Sequence, residues 1–116
     1  MRYALLIYGN EAQDAQMTPA EQEAQMGQYF AYTQEISATN TMRGGEALLP
    51  TGMATTVKVK EGRTLTTDGP FAETKEQLAG FYLIDVENLD QAIGWAAKIP
   101  HAASGSIEIR PVMELG

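Results

Sequence analysis

The segment Gln77–Val86 most narrows what this chain can fold into: in a strand, Tyr82, Ile84 and Val86 face one way and Phe81 and Leu83 the other. Strand side chains alternate with a period of two, so both faces of this strand are apolar and both need cover. Arg2 through Tyr8 is a second short, nearly continuous apolar run, ending at Gly9-Asn10, and it reads as another strand covered on both faces.

The segments between them carry helix and turn signals. Thr18-Pro19-Ala20-Glu21 starts a helix: Thr18 can cap, Pro19 sits where its missing N–H costs nothing, and Glu21 closes a capping box. Met26, Tyr29, Phe30, Thr33 and Ile36 recur at helical spacing, so the pattern predicts a helix from Pro19 to Thr39 with that stripe on a sheet. Residues 9–17 read as a loop. Gly44-Gly45 and Pro50-Thr51-Gly52 bracket Glu46-Ala47-Leu48-Leu49, which leaves room for a very short strand. Residues 54–67 alternate, are rich in β-branched side chains and turn at Glu61-Gly62, as a hairpin does. Asn88 caps a second predicted helix with Leu89, Ala92, Ile93, Ala96 and Ile99 as its buried stripe, and Pro100 ends it. Ser106–Val112 is a last strand.

The order is βαββαβ with an inserted β-hairpin, in a single domain over residues 1–116. Right-handed crossovers place both helices on one face of an antiparallel sheet. The apolar residues of the other face are then uncovered, and their burial favours a second copy of the chain. The expectation is an α+β fold whose sheets pair face to face in a homodimer, the dimeric α+β barrel.

Composition excludes several function classes. Eight basic against fifteen acidic residues give a net charge of −7, with no basic stripe, which argues against nucleic-acid binding. There is no cysteine and one histidine, so thiol chemistry is absent and a zinc site is disfavoured. No phosphate-binding pattern is present, and no cofactor is implied. No signal peptide or membrane span is visible, and a cytoplasmic address is the expectation.

Asp68-Gly69-Pro70-Phe71 is the most distinctive motif. Asp68 stands at a strand end, where its carboxylate can serve as a general base or cap the turn by accepting backbone N–H groups. Gly69 suits a positive φ, and Pro70 keeps it out of the helical region. Phe71 plugs a core or interface, or stacks on a ligand. Glu73, Lys75 and Glu76 read as a solvated charge run or as a polar cluster at the mouth of the cleft. His101 follows Pro100 at the helix exit and is either a proton shuttle or an ordinary loop residue. Arg110 shares a strand face with Glu108, opposite Ile107 and Ile109, and needs a carboxylate or an anionic ligand as partner. Tyr8 ends the first strand, where a phenol can reach a pocket.

Met1-Arg2-Tyr3 through Leu6-Ile7-Tyr8-Gly9, Gly45–Leu48, Thr55-Thr56-Val57, the stretch Thr66–Glu76, Gly80-Phe81-Tyr82 and Ile107–Val112 together resemble the DGPF-type members of the YCII-related domain family. The resemblance spans nearly the whole chain. It implies a ferredoxin-like protomer that pairs into a dimeric α+β barrel, and no settled activity; many members look like companions of extracytoplasmic-function sigma factors. Shorter relatives resemble enzymes because a helix histidine faces an aspartate. The first helix here has no histidine around Gln25–Tyr32, where Tyr29 and Tyr32 stand instead, so that dyad does not carry over.

Two functional expectations remain. One is a small cofactor-independent enzyme of lyase, isomerase or monooxygenase type, acting on a small molecule in a dimer cleft. Asp68 would be its base, with His101 or Tyr8 assisting, Phe71 lining the cleft and Arg110 holding an anionic group. The other is a non-catalytic ligand-binding or regulatory module in a sigma-factor pathway.

Overall fold

A computed structural model describes residues 1–115. The elements run β1 (Arg2–Gly9), α1 (Glu11–Asp14), α2 (Pro19–Ala38), β2 (Met42–Ala47), β3 (Thr55–Lys60), β4 (Arg63–Asp68), β5 (Gln77–Asp85), α3 (Leu89–Ala97) and β6 (Ser106–Pro111), with 3-10 turns at Thr51–Met53 and Pro100–Ala102. One sheet has the order β2-β5-β1-β6, and β3 and β4 form a separate two-stranded sheet. All pairings are antiparallel. This is a mixed α+β architecture, consistent with a ferredoxin-like arrangement carrying an inserted hairpin.

Local chemistry sets the element starts. The Thr18 hydroxyl accepts from the Glu21 N–H while the Glu21 carboxylate accepts from the Thr18 N–H, a complete capping box with Pro19 behind it. Asn88 caps α3 by accepting from the Gln91 N–H. Asn10 does the same for α1 through the Gln13 N–H, so part of the expected loop over residues 9–17 is a short helix.

The core lies between the helices and one sheet face. Tyr3, Leu5 and Ile7 of β1 and Tyr82 and Ile84 of β5 pack with Tyr32 and Ile36 of α2 and with Ala92, Ala96 and Ile99. Leu5, Ile36, Ile84 and Ile99 are its largest fully buried side chains. Two helix stripes differ from expectation. Met26 and Phe30 are exposed, Phe30 at 66%, while Tyr32 is buried; Leu89 and Ile93 of α3 are exposed as well. The face of α2 on the sheet therefore runs through Tyr29, Tyr32, Thr33 and Ile36, rotated from the expected stripe by the larger gain from burying Tyr32 against Tyr82 and Trp95.

β2 is longer than expected and runs through Gly44-Gly45 rather than starting after them. Gly45 serves close approach, not a turn: a Cβ there would come within 2.9 Å of the Phe81 carbonyl oxygen and 3.1 Å of the Tyr82 ring.

The opposite sheet face carries Ala4, Leu6, Tyr8, Phe81 and Leu83, all partly exposed. In the β1–β6 register Glu108 lies across from Leu6 and Arg110 across from Ala4, which puts both charges on that same face.

Candidate functional site

The site is built where the C-terminal end of β1 meets α1, α2 and the turn after α3. Pro100 follows Ile99 and opens the 3-10 turn that carries His101. The His101 carbonyl accepts from the Gly105 N–H at 2.6 Å, so the turn closes on itself before β6. A Cβ on Gly105 would collide with the Tyr8 carbonyl oxygen, so glycine is what lets the turn lie against β1. The result is a buried imidazole, 7% exposed.

Each ring nitrogen of His101 has a partner from a distant part of the chain. The Tyr29 hydroxyl lies 2.5 Å from Nδ1. The Asp14 carboxylate Oδ2 lies 3.4 Å from Nε2. A carboxylate accepts only, so Nε2 carries the proton in the neutral ring, and Nδ1 accepts from the phenol. The Asp14 contact is long for a neutral pair and gains strength when the ring is charged. Burial raises the Tyr29 phenol well above the usual tyrosine range, and the hydrogen bond with His101 offsets only part of that. Tyr29 thus stays a neutral hydroxyl that gives one proton to the ring and keeps oxygen lone pairs to accept another.

Gly9, at the end of β1, makes the space for this arrangement. A Cβ there would lie 2.8 Å from His101 Cδ2, 3.1 Å from Nε2 and 3.4 Å from Asp14 Oδ2. Asp14 is held by α1, which is tied in turn to the rest of the fold. The Glu11 N–H donates to the Gln77 side chain at 2.9 Å, and the Glu11 carboxylate accepts from the Thr51 N–H and hydroxyl, each at 2.8 Å.

Tyr29 and His101 line a cavity of about 350 Å³ between α2 and the sheet. Ile7, Gly80 and Tyr82 form its floor, and Met42, Gly45 and Ala47 of β2 its far side. Because β2 is the sheet edge beyond α2, the space over it is left open. Thr33 adds a second polar point, its hydroxyl 2.9 Å from the Tyr82 hydroxyl. Among the described residues there is no cluster of three or more histidine, cysteine or acidic side chains able to hold a metal.

Of the candidate site residues Asp68, His101, Tyr8, Phe71 and Arg110, His101 alone lines this cavity. Asp68 ends β4, exposed and paired with Thr55 across the hairpin. Its turn is held by others: the Gly69 N–H donates to the Ala54 carbonyl at 2.6 Å, and the Thr56 hydroxyl donates to the Gly69 carbonyl at 2.8 Å. Gly69 has φ of +97°, the positive value its position suggests. Phe71 is 83% exposed beside the hairpin. Tyr8 and Arg110 lie on the sheet face away from the helices. The structure therefore brings His101 together with Tyr29 and Asp14, not with Asp68, Tyr8, Phe71 or Arg110. One signal for Tyr29 was present in the sequence: it stands on the helix where shorter relatives carry a histidine. Asp14 had none, since only packing brings it to the ring.

Two comparisons place the chain among known proteins. The family model for the YCII-related domain matches residues 1–116. An uncharacterised protein of Rhizobium meliloti (strain 1021) is 39% identical over 114 residues, covering 97% of this chain and 92% of that protein.

Proposed function

We propose, for a chain that belongs to the YCII-related domain family, that the cavity at Tyr29 and His101 binds a small organic molecule and removes a proton from it through the series Tyr29, His101, Asp14. The observation that supports this reading is the buried imidazole, held by a phenol on the cavity side and a carboxylate behind it. A substrate O–H or acidic C–H gives its proton to the Tyr29 oxygen as the Tyr29 proton passes to Nδ1. The imidazolium that forms is stabilised by Asp14. This step needs only side chains, and it serves reactions of lyase, isomerase or cofactor-independent monooxygenase type, which begin by ionising the substrate.

The test is turnover or solvent-deuterium exchange with a ligand found by melting-shift screening. His101→Gln and Tyr29→Phe should each lower the exchange rate by about 10²-fold or more, the usual worth of a positioned acid–base group. Unchanged rates in both variants, with normal folding, would overturn the relay.

The quaternary reading is a homodimer, with ferredoxin-like protomers joined into an α+β barrel through the sheet face of Leu6, Phe81 and Leu83. Partly exposed apolar side chains on that face support it, and pairing would also offer Glu108 and Arg110 partners of opposite charge. A stable monomer in sedimentation at micromolar concentration would exclude it. A regulatory ligand-binding role is the second reading of the same cavity, favoured by walls that are mostly apolar; ligand binding with no exchange in any variant would select it.

A further inference from the structure

The cavity's hydrogen-bonding groups and charges specify what it can hold. At one end the Tyr29 hydroxyl spends its hydrogen on His101 Nδ1 and presents only lone pairs. One helical turn further along α2, the Thr33 and Tyr82 hydroxyls share a single hydrogen bond. Whichever of the two donates, the other keeps a free O–H. The cavity thus offers an acceptor at one end and a donor at the other, with apolar walls from Ile7, Met42 and Ala47 between them.

No lysine or arginine lines it, and Glu46, which pairs with Phe81, turns its carboxylate to the other sheet face. The cations near the sheet are engaged elsewhere. Arg43 donates to the Asn40 carbonyl and lies 3.9 Å from Asp85, and Lys98 pairs with Glu35. Arg2 pairs with Glu114, and Arg110 is on the other side of the sheet. The charge adjacent to the imidazole is the Asp14 carboxylate. An anion brought into this space would meet no lysine or arginine, with the Asp14 carboxylate behind the imidazole, and would lose its hydration without replacement.

We infer that the cavity selects an uncharged, largely apolar molecule with a hydroxyl at one end and a carbonyl-type acceptor at the other, a hydroxyketone or hydroxylated aromatic ketone, and rejects the matching carboxylate. This rests on the site proposed above, but concerns the ligand class rather than the chemistry done on it.

Three probes of similar size test it by calorimetry and protein-observed NMR at neutral pH: 4-hydroxyacetophenone, acetophenone and 4-hydroxybenzoate. The hydroxyketone should bind at least about tenfold more tightly than either, as a missing hydrogen bond or an uncompensated charge each implies, with shifts centred on Tyr29, Thr33 and His101. Tyr29→Phe should erase its advantage over acetophenone, and the double variant Thr33→Val, Tyr82→Phe, which removes both hydroxyls, should weaken both ketones. Equal or tighter binding of 4-hydroxybenzoate overturns the assignment, as does failure of all three probes to bind at millimolar concentration. A preference for the hydroxyketone upholds it even if no turnover is ever found; in that case only the proton-transfer reading fails.

Discussion

The Tyr29 hydroxyl and His101 Nδ1 meet at 2.5 Å, although the two residues are 72 positions apart in the chain. The pair ties the middle of α2 to the turn between α3 and β6, and it leaves a buried imidazole with no other donor at that nitrogen among the described residues. Removing the phenol oxygen strands a buried acceptor. Tyr29→Phe should therefore destabilise the fold by about 1–3 kcal/mol, read as a lower urea midpoint with an unchanged denaturant slope. A change under about 0.5 kcal/mol would mean that water satisfies Nδ1 in solution.

Gly9→Ala should also be costly. The added methyl would press on the His101 ring, 2.8 Å from Cδ2 and 3.1 Å from Nε2. Overpacking of this kind costs about 1–3 kcal/mol. The His101 ring resonances should shift with it, while Gly27→Ala, where a Cβ meets nothing within 4 Å, should be neutral or mildly stabilising. Equal effects of the two substitutions would contradict the close approach at Gly9.

Stability should fall at alkaline pH. Burial raises the folded-state ionisation of Tyr29 and Tyr32 above the ordinary tyrosine value of 10.0. The unfolded chain releases these protons near its ordinary value and the folded chain keeps them. The associated stability is thus fully present below pH 10 and is lost progressively as the pH rises above it. Tyr29→Phe should reduce the alkaline slope of the unfolding free energy by up to about one proton's worth. Phenolate absorbance compared between the parent and the Tyr29→Phe and Tyr32→Phe variants should show these two phenols ionising late, and their ionisation near pH 10 in the folded protein would refute the shift.

Asp68→Asn should do little. The residue is exposed at the end of β4, and the hydrogen bonds that hold its turn come from Thr56 and the Gly69 backbone. A stability change within about 0.5 kcal/mol is expected, as for surface substitutions away from special features. Gly69→Ala, at φ of +97°, should cost more than Asp68→Asn, because an L side chain is strained there. The reverse ranking, measured by thermal unfolding, would assign the carboxylate a structural role that the turn does not show.

What could be read from the sequence was whatever depends on neighbours in the chain. The capping box at Thr18, the cap at Asn88, the hairpin turn at Glu61-Gly62 and the two-sided strand around Phe81 and Tyr82 are all local chemistry. Gly44-Gly45 misled because a glycine pair is ambiguous: it permits a turn, and it equally permits a strand to approach Tyr82 closely. The orientation of α2 was only partly legible, since Phe30 and Tyr32 compete for the core and tertiary packing decides between them. The site was the least legible part. Proline, histidine and two alanines in a row look like a surface loop, and the burial of His101 follows from the Gly9 gap, the Tyr8–Gly105 contact and α1, all far away in the chain.

The β3–β4 hairpin shares no ladder with the larger sheet. Val57, Val59 and Leu65 on it are exposed, and an isolated two-stranded ribbon is marginal in water. The molecule is therefore at least two cooperative units joined through the segments around Ala54 and Gly69. Amide exchange over Thr55–Asp68 reports the opening of the ribbon alone, while exchange in β1 and β5 reports unfolding of the whole. A single melting curve that follows the tyrosines would register the second event and pass over the first.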